Sequence, residues 1–186
     1  MTKGKKYGII YADPPWRYEM KNGQGAAEKH YPTMSISEIC DLPVAGIADE
    51  NCALFLWVTF PMLPFTFRVI KAWGFKYKSV AFCWVKRNKK SPGWFLGMGY
   101  WTRSNAEICL FATKGRPKRK SAAVRQIIDA PIEQHSKKPD ETRERIVELM
   151  GDLPRIELFA RRKADGWDAW GNEICGEDIL KEEAIE

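Results

Sequence analysis

Histidine is nearly absent from this chain: two residues, His30 and His135, among 186. The five cysteines (Cys40, Cys52, Cys83, Cys109, Cys175) are odd in number, and no two lie close enough for a CxxC pair. The usual ligand sets for zinc are therefore missing, and no metal site is expected. Four of the five sit within or beside apolar runs, which reads as buried, reduced thiols in a cytoplasmic protein. No apolar run approaches the roughly 18 to 20 residues that span a bilayer. The opening "MTKGKKYGIIYAD" ends its short apolar run in an acid, unlike a signal peptide. Repeats and low-complexity linkers are missing too, so one domain is expected over 1–186, with an acidic tail from about 174. Nothing offers a nucleophile with a paired base, which argues against covalent catalysis.

What is present is a soluble, globular composition, 45% hydrophobic and 29% charged, with a net charge of +6. The charge is unevenly placed. Residues 86–120 hold ten Lys/Arg against one acid, Glu107, a balance of +9 that leaves −3 for the rest. From Glu173 onward six acids face one lysine. A basic tract of this kind is a candidate footprint for a polyanion, with a merely solvated loop as the plainer alternative on charge alone.

Apolar runs bounded by turn residues predict strands at 7–13, 52–59, 78–86, 106–113 and 155–161, with a weaker one near 126–132. Ser35 three residues before Glu38 predicts a capped short helix. "PMLPFTFRVIKAWG" and "KPDETRERIVELMG" predict two longer helices, closing at Gly74 and Gly151. Continuous apolar strands alternating with helices imply an α/β fold with a mostly parallel sheet covered on both faces. The 78–113 segment breaks that rhythm and predicts a long basic hairpin, carrying Trp94, Phe95, Tyr100 and Trp101 among its cations.

At the end of the first strand stands "YADPPW". Ligands of open α/β sheets bind outside the carboxyl ends of the strands, where Asp13–Trp16 would lie. Asp13 is an anionic acceptor; Pro14 and Pro15 lack an N–H and offer only carbonyls. Two prolines in succession stiffen the loop, and Trp16 adds a flat apolar face. Such a pocket suits a planar group bearing two N–H donors, like the exocyclic amine of a nucleobase. One hydrogen would go to the Asp13 carboxylate and one to the Pro14 carbonyl, while Asp13 stabilises positive charge growing on the nitrogen.

"ADPPW", followed in order by "YPTMS", "LFLWVT", "WVKRN", "SKKPDE", "IELFARR" and "WGNE", resembles the DPPW family of S-adenosylmethionine-dependent N6-adenine methyltransferases. That family includes the eukaryotic mRNA adenosine methyltransferase and bacterial and phage relatives. The resemblance runs from about Tyr7 to Ile174. It implies a Rossmann-like methyltransferase fold with permuted motif order, the catalytic motif preceding the cofactor motifs. Asp13, Pro14, Pro15 and Trp16 would hold the target amine beside the methyl donor. Tyr31 matches a tyrosine of the same pocket, and Trp101 and Glu107 match positions on the substrate side. Lys138 matches a lysine near the cofactor's methionine carboxylate. Glu157, Leu158 and Arg161 correspond to the cofactor-binding strand end, and Asn172 and Glu173 to a pair reaching the ribose. Lys86, Arg87 and Arg103 would meet the nucleic acid within the basic tract.

Three positions depart from the pattern. Ala160 stands where a glycine is usual, Glu173 replaces a glutamine, and few residues precede the first strand to reach the cofactor's adenine. The resemblance implies methyl transfer from S-adenosylmethionine to adenine N6, in DNA by preference because no RNA-binding appendage is present. An RNA substrate, a non-catalytic nucleic-acid-binding subunit, and a structural protein that assembles through its basic loop are the alternatives. A homodimer or partner subunit, and a bacterial or phage-infected cytoplasm, complete the expected setting.

Overall fold

The computed structural model describes residues 4–18, 32–134 and 136–174. The first apolar run forms β1 (Tyr7–Ala12), buried along its whole length. It is buried because both faces are covered: Ile10 and Ala12 point into one hydrophobic cluster, Ile9 and Tyr11 into another. Next come α1 (Ile36–Cys40), α2 (Val44–Ile47) and β2 (Ala48–Val58). The Ser35 Oγ accepts from the Glu38 N–H at 3.2 Å while the Glu38 carboxylate accepts from the Ser35 N–H at 2.7 Å. That reciprocal pair is the capping box legible in the sequence.

A 3-10 turn over Phe60–Met62 and α3 (Leu63–Ala72) lead to β3 (Lys76–Arg87). The chain continues through β4 (Ala106–Lys114), β5 (Ile127–Pro131), α4 (Glu141–Met150), β6 (Arg155–Leu158) and β7 (Asp168–Trp170). Every strand expected from the sequence is found. The strand expected over 155–161 stops at Leu158, because Phe159 turns into the left-handed region at φ 62°. β7 has no counterpart in the sequence reading: three half-buried residues show no periodicity.

The strands form one sheet in the order β5-β3-β4-β2-β1-β6-β7. Only β4 runs antiparallel to its neighbours, so the hairpin expected over 78–113 is present inside a mostly parallel sheet. From β1 the chain moves to β2 on one side, and later returns through α4 to β6 on the other. β1 therefore marks the point where strand order reverses, and the crevice for a ligand opens beyond the carboxyl ends of β1 and β6. Because β4 is reversed, its first residues stand at that same end. Glu107 thus arrives beside Trp84, near the end of β3.

Helices α1 and α3 cover one face through Ile39, Val69 and Ile70, and α4 covers the other through Ile146 and Met150. Burial of each such side chain contributes about 1.5 to 3 kcal/mol. Trp57 of β2, fully buried, donates its indole N–H to the Tyr11 hydroxyl at 2.7 Å. Among the described residues no helix is long and apolar enough to cross a membrane.

Replacing Tyr11 by phenylalanine strands that buried indole donor, which costs about 1 to 3 kcal/mol. The expected outcome is a lower urea midpoint with an unchanged denaturant slope; an unchanged midpoint would show that the Trp57 donor finds another acceptor.

Candidate active site

Asp13 follows the last residue of β1, and its carboxylate sits at the carboxyl end of the sheet. The Lys138 ammonium donates to Asp13 Oδ2 at 2.7 Å and lies 3.2 Å from Glu107 Oε2. Its third hydrogen goes to the Ser136 carbonyl at 3.3 Å. An ammonium has three hydrogens, so Lys138 is saturated within the chain. It stands 5.6 Å from the centroid of the Trp57 ring, and its side chain is only 7% exposed. Lys86 pairs with the other oxygen of Glu107. Two carboxylates and two ammonium groups thus form a neutral, largely buried chain: Asp13, Lys138, Glu107, Lys86.

The electrostatics differ along that chain. Burial, with the nearby Glu107 charge, raises the Asp13 carboxyl above its ordinary value, although Lys138 opposes the shift. Burial acts on Glu107 as well, but Lys138 and Lys86 outweigh it and hold that carboxyl below its usual range. Lys138 is penalised by burial, yet Asp13 and Glu107 together raise its pKa and keep it charged. Of the two carboxylates Asp13 is the more open, with 27% of its side chain exposed against 14% for Glu107.

Asp13 forms one wall of a cavity of about 310 Å³. Pro14, Pro15, Pro32, Phe159 and Ala160 supply apolar lining; Gln134, Ser136, Lys137, Lys138, Arg143, Glu157, Arg161, Arg162, Asn172 and Glu173 supply the polar part. Arg143 of α4 holds Glu157 in a fork, Nε to Oε2 at 2.7 Å and Nη2 to Oε1 at 2.9 Å. Arg143 and Arg162 both donate to Asp140 Oδ1 at 2.6 Å; burial is the largest single influence on that carboxyl and raises it, but Lys137, Arg162 and Arg143 together outweigh it and pull it down to about 2. Burial raises Glu157 in spite of its arginine.

Two non-glycine residues among those described have positive φ, Ser136 at 61° and Phe159 at 62°, and both line this cavity. Such backbone strain costs on the order of 1 to 3 kcal/mol and concentrates at functional sites. The turns that form the cavity's far wall are tightly packed. A Cβ on Gly171 would lie 2.3 Å from the Ala160 carbonyl oxygen, so that position admits only glycine without a shift.

The cavity brings together Asp13, Pro14, Pro15, Lys138, Glu157, Arg161, Asn172 and Glu173 from the sequence expectations. Leu158 is not among the lining residues: its side chain is fully buried in the core, and Phe159 takes the place facing the cavity. Trp16 does not present the flat face expected of it. It is 5% exposed, packs in the core and donates its indole N–H to the Trp57 carbonyl at 3.1 Å, which anchors the motif. The Pro14 carbonyl already accepts the Trp16 N–H at 2.9 Å, with one lone pair left, and the Pro15 carbonyl accepts from Met34 at 2.8 Å. Tyr31 lies outside the described residues.

Lys86, Arg87, Trp101, Arg103 and Glu107 do not line the cavity. Arg87 is engaged by Asp129 at 2.5 and 2.6 Å and stacks over Trp94, 4.5 Å from the ring centroid. Trp101 is 92% exposed on the 88–105 connection, edge-on to Tyr100, and Arg103 is exposed on the same segment. The tract read as one basic unit over 86–120 is in fact divided by β4, whose nine residues put Lys114 at the opposite end of the sheet from Glu107. Sequence reasoning missed Ser136, Arg143, Phe159 and Arg162. The contacts that reveal them are long-range or depend on left-handed backbone, and neither leaves a local pattern.

Comparison with known proteins decides the family. The MT-A70 family matches residues 7–173. The chain belongs to the MT-A70 family. It is 36% identical over 190 residues to the type II methyltransferase M.MunI of Mycoplasma sp, covering 91% of this chain and 78% of that protein. It is 30% identical to the Arabidopsis thaliana N(6)-adenosine-methyltransferase MT-A70-like protein over 95% of this chain. To the human N(6)-adenosine-methyltransferase catalytic subunit METTL3 it is 29% identical over 97% of this chain. It spans only 25% and 30% of the length of those two eukaryotic relatives.

MT-A70 methyltransferases take their methyl group from S-adenosylmethionine, and the cavity's donor set fits that molecule. Its wall pairs apolar surface (Phe159, Ala160, Pro14) with hydroxyl-seeking acceptors (Glu157, Asn172) and with a cation for a carboxylate (Arg161). Ala160 is nearly fully buried and donates its N–H to the Trp170 carbonyl at 2.9 Å.

Replacing Lys138 by methionine leaves two buried carboxylates without their common cation, a loss of about 3 to 5 kcal/mol at pH 7. Asp13, already raised, then titrates further above its unfolded value near ~4, and Glu107 loses one of the two cations that hold it down. A raised carboxyl destabilises when ionised, so the penalty is full above the raised pKa and fades as pH falls toward the unfolded one. Urea unfolding at pH 7 and pH 4.5 is expected to show the smaller difference from wild type at the lower pH. An equal difference would place the cost elsewhere than in Asp13 and Glu107.

Proposed function

We propose that this chain transfers a methyl group to the N6 amine of adenine in DNA, by direct attack and without a covalent enzyme intermediate. The observation that carries the reading is Asp13: a carboxylate with one oxygen bound by Lys138 and the other left open, facing a cavity beside two prolines that donate nothing. The open Oδ1 would accept one hydrogen of the amine, and the remaining lone pair of the Pro14 carbonyl the other. Fixed this way, the nitrogen aims its lone pair into the cavity. The Asp13 charge lies where positive charge grows on nitrogen, and a preorganised group of this kind is worth several kcal/mol of barrier.

When bound, S-adenosylmethionine supplies an electrophilic methyl group. Glu157 and Asn172 would hold its ribose hydroxyls, and Phe159 with Ala160 its apolar body. Arg161, 40% exposed in its side chain, would draw its carboxylate. Lys138 joins in that role only by releasing one of its three partners. Glu173, 3.8 Å from the Arg161 guanidinium, would orient that cation.

The target base must leave its stack to reach Asp13, from a duplex by flipping or from a single strand. The 88–105 connection extends from the same end of the sheet and carries Lys89, Lys90 and Arg103 with exposed Trp94, Tyr100 and Trp101. Cations there would meet phosphates and the aromatic rings would stack on bases, each worth about 1 to 3 kcal/mol. Lys86, tied to Glu107, and Arg87, tied to Asp129, would anchor that segment. The likeness to a type II methyltransferase over most of both chains supports DNA. The likeness to adenosine methyltransferases supports RNA as the second reading.

Asp13→Asn, which keeps an oxygen for Lys138 to donate to, is expected to abolish N6-methyladenine while leaving the melting temperature within a few degrees of wild type. Incubation with methyl-labelled cofactor and separate DNA and RNA pools, followed by nucleoside mass spectrometry, measures both the activity and the polymer. Undiminished N6-methyladenine from the variant would sink the mechanism. Because protonation converts Asp13 from acceptor to donor, single-turnover rates should fall on the acid side with a midpoint above the ordinary aspartate value near ~3.9. A rate flat down to that value would show that Asp13 ionisation is not required.

A further inference from the structure

The antiparallel β4 gives the protein a second basic pole. A nine-residue strand spans roughly 30 Å, so the segment after Lys114 begins a full strand length from Glu107. Lys114 itself is structural, donating to the Ala45 and Ala48 carbonyls at 3.2 and 3.1 Å. The segment beyond it is pinned through its main chain. Gly115, at φ 61°, packs so closely that a Cβ would lie 2.1 Å from the Glu50 carbonyl oxygen. The Arg116 N–H donates to Asn51 Oδ1 at 2.8 Å, and the Lys120 and Ser121 N–H groups share the Leu149 carbonyl at 2.7 and 3.3 Å.

Its side chains contrast with the paired cations of the surface, and unlike the other unpaired ones they are gathered within five residues. Lys5, Arg87, Lys137, Arg145, Arg155 and Arg162 each pair with an acid. Arg116, Lys118, Arg119 and Lys120 are exposed, and among the described residues none has an ion pair or side-chain hydrogen bond. Of the acids on the elements that hold this segment, Asp49 and Glu50 of β2 and Glu144 and Glu148 of α4 form no ion pair with it among the described residues, and Glu141 pairs with Arg145. Lys76, level with Thr113 in the sheet, is a further exposed cation at the same end of β4. Clustered like charges repel, so a fixed backbone that gathers them without counter-charge is built for an external anion. No aromatic residue lies between Lys114 and Gln126, in contrast to the 88–105 connection. The surface therefore suits phosphates and not bases.

We propose that this pole, centred on Arg116, Lys118, Arg119 and Lys120, is a second phosphate-binding surface that holds nucleic acid outside the segment presenting the target adenine. The proposal rests on a nucleic-acid substrate as read above. It makes the contact independent of sequence and confines its benefit to polymers long enough to reach around the molecule.

The test compares the full chain with a variant combining Arg116→Ser, Lys118→Ser, Arg119→Ser and Lys120→Ser. Two substrates are used, a duplex of about 60 base pairs (roughly 200 Å at 3.4 Å per step) and a single strand of about ten nucleotides. Four lost phosphate contacts should reduce the slope of log affinity against log salt on the duplex by about 3 to 4, and weaken binding about tenfold or more at low salt. Methylation of the short strand should keep its kcat and KM, and the melting temperature should be unchanged. Unaltered duplex affinity and salt slope would overturn the proposal. So would an equal loss on the short strand, or retained duplex binding with loss of self-association, which would assign the pole to an acidic protein surface. If wild type methylates neither substrate but the duplex loss appears, the methyl-transfer reading fails while the second surface stands.

Discussion

One buried cation organises this site. Lys138 satisfies all three of its hydrogens on Asp13, Glu107 and the Ser136 carbonyl, so it joins three segments that are remote in the chain. Asp13 ends β1, Glu107 opens β4, and Ser136 belongs to the segment that returns toward α4. The reversed direction of β4 is what makes the arrangement available, since a parallel strand there would leave Glu107 at the wrong end of the sheet. Placing a lysine beneath two carboxylates is costly unless all are paired. Here the second ammonium, Lys86, completes the balance from the end of β3.

The consequence is an asymmetry between the two carboxylates. Glu107 is flanked by two ammonium groups and is committed to structure, whereas Asp13 has one cation on one oxygen and an open side toward the cavity. The surrounding backbone maintains that openness. Pro14 and Pro15 offer no donor that could occupy Asp13, and Trp16 is locked into the core through the Trp57 carbonyl. Ser136 and Phe159, both left-handed, hold the opposite walls. Trp57 is a common support: its carbonyl fixes the motif, its ring carries Lys138, and its indole N–H is held by Tyr11.

Much of this was legible in the sequence where the signal was local. The apolar runs gave the strands, the Ser35–Glu38 spacing gave the cap, and "ADPPW" at the end of a strand marked the ligand end of an α/β sheet. Lys138, Glu157 and Asn172 were reached through resemblance, and the cavity does gather them. What could not be read was direction and backbone sign. A hairpin can be inferred from a missing helix, but the 86–120 tract reads as continuous until β4 is seen to carry half of it to the other pole. Likewise "ELF" cannot reveal that its leucine turns into the core and its phenylalanine, at positive φ, toward the cavity. The role of Trp16 failed for a related reason: a tryptophan after two prolines looks like a platform, and only packing shows that it is an anchor.

Methyl transfer as proposed requires that the cavity beside Asp13 hold the cofactor. Calorimetric titration with S-adenosylhomocysteine, the demethylated product, tests it most directly, using the wild-type protein and Asn172→Ala. The account predicts saturable one-to-one binding to the wild type at submillimolar concentration, clearly weakened in the variant. No heat of binding to the wild type at millimolar ligand would contradict it.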